Sequence, residues 1–349
     1  MCKTQQKKEF PNSIGLEFTM DGEVLSQYGF KFYEDVLYKI VLVKKSGPDN
    51  YIVSETLQTE NKEGIDPFIY IDIYGGRGKL HEHKPLKDNE MKEPEGSYGQ
   101  NKESGLTFYD DHDSRELILP KIYDPERYYE INTVRKALSD IVTYPYFDTS
   151  PSSRLRNAVM ATGGKRLNSD GGNLAQIINT INNKHKSLFR NLNETLKDVN
   201  ENFRGFDFNI LGSGMFELML DEEGLDSSVH VAHISDGTLR FLCLMAIFFN
   251  PDRGKFVSID EPETGLHPDM MHSITSCIKE VATNSVFLIA THHEDIVSAF
   301  DIRNIRVFEK DSHNLSIVMK FTEEDFKNWY DEFSAGKMWR KGDIGGNRW

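Results

Sequence analysis

Between residues 239 and 320 the chain changes type from one segment to the next, and this alternation most constrains its fold. "LRFLCLMAIFF" (239–249) has helical length and apolar spacing, "KFVSIDE" (255–261) reads as a strand, and "PDMMHSITSCIKEVAT" (268–283) is amphipathic. "VFLIATHH" (286–293) is a second strand, and "RNIRVFEK" and "LSIVMKF" follow. Strands separated by helices need crossover connections, which predicts an α/β fold with a mostly parallel sheet whose carboxyl ends collect the functional loops. Asp260, Glu261, His292 and His293 fall at two such ends, so one crevice can hold an acid pair and a histidine.

The rest of the chain divides into two further stretches. Residues 1–125 are expected to form an antiparallel β-rich lobe, because "YKIVLVKK" and "PFIYIDIYGG" are strand-like runs punctuated by Gly and Asp. Within it, residues 75–105 are polar and rich in breakers, which predicts a surface loop or a partly disordered insert. Residues 126–230 are expected to form a helical lobe, and 231–349 the α/β lobe. In "NLAQIINTINNKHKSLFRNLNETLKDVNENF", Leu174, Ile178, Ile181, Leu188, Leu192 and Val199 keep helical spacing, with a turn expected at Asn182 and Asn183. This stripe is read as packing on the domain's own core, since a coiled-coil seam needs more heptads.

Composition narrows the class. With 349 residues, 38% hydrophobic and 28% charged, the chain can bury a sizeable core. No uncharged apolar run in it, the stretch Leu242 to Phe249 included, is long enough to span a bilayer. The start "MCKTQQKKEF" lacks the apolar stretch of a secretory signal, and Cys2, Cys243 and Cys277 have no metal-ligand spacing, so a cytoplasmic location is expected. A formal net charge of −14 argues against wholesale coating of nucleic acid and leaves only local DNA contact open.

A buried strand that ends in adjacent carboxylates needs a cation, a water or a donor for each acid. Phosphoryl transfer uses such groups: one carboxylate helps to hold Mg²⁺, another group orients or deprotonates the attacking water, and donors meet the phosphate oxygens. Asp260, Glu261 and His292 suit these roles in turn. In "HISDGTLRFL", Ser235 can cap the next helix while Gly237 allows close backbone approach, leaving N–H groups free for an anion. A plain helix cap is the simpler explanation of Ser-Asp-Gly taken alone.

In order along the chain, "ISDGTLRFL", "FVSIDEPETGLHP" and "VFLIATHHEDIV" resemble the signature motif, the Walker B strand with D-loop, and the switch-histidine strand of the ATP-binding-cassette-like ATPases of the SMC and OLD group, specifically the bacterial AAA-domain ATP-binding proteins often found in defence loci. "KRLNSDGGNLAQII" and "GKMWRKGDIGG" resemble the helical-lobe motif and the tail of that family. The resemblance covers most of the chain and implies a P-loop NTPase-like fold of the ABC ATPase type. It makes Asp260 the Mg²⁺-side carboxylate, Glu261 the catalytic carboxylate, His292 the γ-phosphate sensor and His267 the D-loop residue. Ser235 and Gly237 would meet the γ-phosphate of ATP held by a second subunit, which implies a head-to-tail homodimer with nucleotide at its interface. An effector, a nuclease or another protein, and DNA are the further partners it suggests. His293 is expected to be structural.

One departure stands out. The family carries a Gly-x-x-x-x-Gly-Lys-Ser/Thr loop that cradles the phosphates. Gly-Lys occurs here at Gly78-Lys79, Gly164-Lys165, Gly254-Lys255 and Gly336-Lys337, and none is followed by Ser or Thr or preceded by the required glycine. Three explanations are open: the loop lies on a segment ahead of this sequence, another polypeptide supplies it, or nucleotide binding was lost and the fold persists as a partner-binding scaffold. A metal-dependent nuclease ranks last, because no second acidic cluster with metal-site spacing stands out.

Overall fold

A computed structural model describes residues 12–46, 50–60, 66–83, 106–110, 113–160, 164–326 and 334–346. The chain divides into two compact units, Met1–Asp140 and Ile141–Trp349. Cys2 and most of the polar 75–105 stretch lie outside the described residues.

The first unit is a six-stranded antiparallel sheet in sequential order: β1 (Ser13–Met20), β2 (Val36–Lys44), β3 (Tyr51–Thr59), β4 (Ile69–Tyr74), β5 (Arg77–His81) and β6 (Leu106–Tyr109). This is the expected meander. Gly75 and Gly76, both at positive φ, form the two-residue turn between β4 and β5, where only glycine takes both positions without penalty. Two helices accompany the sheet, α1 (Gly22–Ser26) and α2 (Tyr129–Ser139). Ile131 and Val134 of α2 join Leu57, Ile71, Ile73 and Leu80 in the core. That core also holds a carboxylate: Glu55, 1% exposed, accepts hydrogen bonds from Tyr38 Oη, Ile118 N and Leu119 N. Burial, with Glu55 beside it, pushes the Tyr38 hydroxyl well above the usual tyrosine range.

The second unit contains the parallel sheet. β7 (Ile141–Tyr144), β12 (Phe256–Asp260) and β13 (Val286–Ala290) run parallel in the order β13-β12-β7, with Asp260 beside Ala290. The second unit also holds β8 (Val159–Met160), β9 (Phe203–Ile210), β10 (Met215–Glu222) and β11 (Val229–His230) in an antiparallel sheet centred on β10. Thus the stretch read as helical also carries strands. Its helices are α3 (Leu174–Lys184) and α4 (Lys186–Val199), which break at His185 rather than at Asn182 and Asn183. Leu174, Ile178, Ile181 and Leu192 are buried in the unit's main core and Leu188 and Val199 pack against it, as the spacing predicts.

α5 (Asp236–Phe248) is buried along nearly its whole length, from Leu239 through Phe248 except Arg240, and packs against α3 and α6 (Met270–Val281). A short α7 (Glu294–Ser298) follows β13, and a ribbon of β14 (Arg306–Lys310) and β15 (Ser316–Lys320) leads to α8 (Ala335–Lys341). The two faces of the parallel sheet differ. Val257, Ile259 and Tyr144 are buried in the core, with Phe287, Ile289 and Val142 packed against it. On the opposite face Ile141, Val286 and Leu288 are 46%, 60% and 53% exposed, so side-chain alternation separates a buried row from an open one. Among the described residues, no helix is long and apolar enough to cross a membrane.

Candidate functional site

The site lies at the carboxyl ends of β12 and β13, where a parallel α/β sheet is built to place functional groups. Burial of Val257 and Ile259 fixes which way β12 faces, and Asp260 emerges as its last, exposed residue. The next residue, Glu261, takes a left-handed conformation at φ 43°, which a side chain adopts only at a cost. Its N–H donates to Ala290 O at 2.8 Å, tying the bend to the end of β13.

The bend brings two predicted residues together. Glu261 Oε1 is 3.1 Å from His292 Nε2, while Glu261 Oε2 accepts from Thr264 Oγ1 at 3.1 Å. The carboxylate is held on both oxygens and remains open to solvent. A histidine with its second nitrogen free and a fixed carboxylate can together orient a water or a phosphate oxygen.

Two groups that the sequence reading passed over shape this arrangement. Glu263 Oε1 accepts from Thr291 Oγ1 at 2.7 Å and from His292 N at 3.0 Å, clamping the segment after β13 to the loop after β12. Arg240, the one cation in the apolar α5 sequence, reaches across the same loop. Its Nε and Nη1 donate to Phe147 O and Thr264 O, both at 3.4 Å, Nη2 bonds the Tyr146 hydroxyl, and the guanidinium lies 5.0 Å from the Tyr146 ring centroid. A small cleft beside the acids is lined by Tyr146, Phe147, Arg240, Asp260, Glu261 and Thr264. The available signals were a third acid within "DEPE" and a charge inside an apolar helix; neither reveals its partner without the fold.

The remaining predicted residues make contacts of their own, separate from the Glu261–His292 pair. Ser235 Oγ accepts from Thr238 N at 3.1 Å and lies 2.7 Å from Thr238 Oγ1, so it caps α5. Arg156 anchors the approach to that cap, donating to Ile234 O at 2.8 Å and pairing with Asp236 at 2.5 Å. A Cβ on Gly237 would lie 3.0 Å from Gly265 O, which places the start of α5 against the loop after β12. His267 is exposed and pairs with Asp269 at 3.2 Å ahead of α6. The backbone N–H of His293 donates to Thr291 Oγ1 at 3.0 Å, a turn contact.

Among the described residues no group of three or more His, Cys, Asp and Glu side chains could hold a metal ion by itself. Mg²⁺ is ordinarily held by one or two carboxylates together with substrate phosphates and water, so Asp260 at an exposed strand end fits a shared site and not an all-protein cage. The donors for the phosphates themselves have no matching loop in this sequence.

A parallel sheet with an acid pair and a facing histidine at its strand ends is an α/β domain with its polar groups gathered where that fold places them. Residues 81–298 match the family described as "AAA domain, putative AbiEii toxin, Type IV TA system", and the chain belongs to that family. No curated protein matches. Among solved structures, similarity extends to the Smc head bound to the C-winged helix domain of ScpA, at 13% identity over 90% of this chain and 75% of that chain, TM-score 0.47. It extends also to the SMC head domain from Thermotoga maritima, at 12% identity over 82% of this chain and 74% of that chain, TM-score 0.32. A third is from a study of ATP-driven dimerization and DNA stimulated activation of SMC ATPases, at 17% identity over 49% of this chain and 99% of that chain, TM-score 0.35. These are distant likenesses.

Proposed function

We propose that the chain is a cytoplasmic, ABC-like ATPase subunit that carries the metal and water side of an ATP-hydrolysing site. Asp260 helps to hold Mg²⁺, Glu261 orients and deprotonates the attacking water, and His292 senses the γ-phosphate. ATP with Mg²⁺ supplies the phosphoryl group and its charge neutralisation. Glu261 is suited to its role because Thr264 and His292 hold both of its oxygens while it stays open to water. The observation that carries the reading is the 3.1 Å approach of His292 Nε2 to Glu261 Oε1 from adjacent strand ends. Ser235 and Gly237, at the amino terminus of α5, act on nucleotide held by a second copy, so hydrolysis gates a homodimer, and the service is anti-phage defence or a DNA transaction through a protein effector.

The phosphate-cradling loop has no match in this sequence, so MgATP binding by the chain alone is expected to be weak. Phosphate release is therefore measured at millimolar MgATP. Glu261→Gln is expected to lower the rate by roughly a hundredfold, the worth of a positioned general base. If Glu261→Gln leaves phosphate release unchanged, Glu261 is not the catalytic carboxylate and the ATPase reading fails, with a partner-binding scaffold as the alternative.

A further inference from the structure

The carboxylate of Glu263 is arranged unlike that of an ordinary loop acid. Oε1 takes two donors from the segment after β13, Thr291 Oγ1 at 2.7 Å and the His292 N–H at 3.0 Å. Oε2 is buried and has no hydrogen-bond partner. A buried oxygen without a donor costs about 1–3 kcal/mol, which the two bonds accepted by Oε1 offset. What the acid does achieve is geometric. The imidazole of His292 is exposed and, by itself, free to rotate, but its backbone is held to the loop that carries Glu261, two residues before Glu263. Thr291 extends the clamp, because its hydroxyl donates to Glu263 and accepts from His293 N at 3.0 Å.

We propose that Glu263 is a positioning residue that sets the Glu261–His292 pair by holding the His292 backbone. It acts as a hydrogen-bond acceptor of fixed reach and not as a charge. The catalytic consequence rests on the ATPase reading above, whereas the positional claim does not.

Two substitutions separate reach from charge. Glu263→Gln keeps an oxygen at the same distance for both donors and removes the charge. Glu263→Asp keeps the charge and draws the oxygens back by one methylene, out of reach of the pair. The readout is the ring resonance of His292 in the full chain labelled with ¹⁵N-histidine, assigned by its loss in His292→Ala and recorded without nucleotide. In wild type, Glu261→Gln is expected to move that resonance, because the two side chains touch. The same response is expected in the Glu263→Gln background and is lost in Glu263→Asp and in Glu263→Ala. If Glu263→Ala fails to fold by circular dichroism, the Gln and Asp variants decide the matter.

A response that survives in Glu263→Asp, or disappears in Glu263→Gln, overturns the proposal. Phosphate release adds a second readout: Glu263→Asp is expected to lower turnover on the order of a hundredfold, as a misplacement of about 1 Å does, and Glu263→Gln to retain most of it. The resonance test of Glu263 stands whatever the rate of hydrolysis in wild type.

Discussion

Gly265 offers a quantitative test of how the site loop is built. Its φ is +75°, and a Cβ placed there would lie 1.7 Å from Arg240 Nη1 and 3.0 Å from Arg240 Cζ. Gly265→Ala therefore meets two penalties. The left-handed backbone costs an L-residue about 1–2 kcal/mol. The collision displaces a guanidinium that bonds the Tyr146 hydroxyl and stacks on its ring. A hydrogen bond to a charged group is worth about 1.5–3 kcal/mol and an exposed cation–π contact about 0.5–1 kcal/mol, while the two 3.4 Å bonds to Phe147 O and Thr264 O lie at the weak end of the range. Because the bond to Tyr146 is exposed, the displacement should add the lower part of that sum, about 2–3 kcal/mol, for about 3–5 kcal/mol in all.

Gly224 supplies the control. It has φ +83° with nothing within 4 Å of its Cβ position, so Gly224→Ala carries the backbone term alone, about 1–2 kcal/mol. Trp339, in α8, is the one tryptophan among the described residues and lies in the unit Ile141–Trp349, so its fluorescence change during urea unfolding reports on that unit. In an Arg240→Ala background the cost of Gly265→Ala should fall to that of Gly224→Ala, a coupling of about 2–3 kcal/mol. Equal costs with and without Arg240 would refute the argument that glycine is needed there to let the guanidinium pass.

Two further outcomes follow from burial. Leu288→Ser is expected to change stability by no more than about 0.5 kcal/mol, whereas Ile289→Ser, one residue away on the opposite face, should cost at least about 2 kcal/mol; the same urea titration checks both. In the other unit, Glu55→Gln sets an amide against the N–H of Ile118 or of Leu119 and should destabilise that unit by about 2–4 kcal/mol, measured by far-ultraviolet circular dichroism in urea on residues 1–140 and on the full chain.

What the sequence made legible follows its periodicities. The alternation after residue 239 identifies β12, α6 and β13 because each is bounded by a charge or a breaker, and the 3.6-residue stripe identifies α3 and α4 because its apolar positions face one core. β9 and β10 were not legible. In "FRGFDFNI" Phe206, Phe208 and Ile210 alternate with polar residues, yet the run follows directly on a helical pattern, and only pairing with β10 marks it as a strand. The site divides in the same way. Asp260, Glu261 and His292 are visible as charges at strand ends, a position that local pattern can locate. Glu263 and Arg240 act through the Thr291 hydroxyl and through backbone atoms of His292, Phe147 and Thr264, and no residue-level signal carries a hydrogen bond to a carbonyl or amide far along the chain.

The conformation of Glu261 explains why the site needs those backbone clamps. An extended residue after Asp260 would continue β12 and carry the carboxylate along the strand direction. The left-handed bend at φ 43° instead ends the strand at once, and the bond from Glu261 N to Ala290 O lies at that turn. The carboxylate then reaches the segment after β13, where His292 stands. Such a bend costs about 1–2 kcal/mol in a residue with a side chain, and it persists only if its surroundings determine it from several sides. Three contacts do so: Thr264 N donating to Glu261 O at 3.0 Å behind it, Glu263 gripping Thr291 and His292 ahead of it, and Arg240 holding Thr264 O from α5. The helix capped by Ser235 is thus bonded to the loop that carries Glu261 within one chain, by Arg240 to Thr264 O and from Thr264 Oγ1 to Glu261 Oε2, while Oε1 is left to His292.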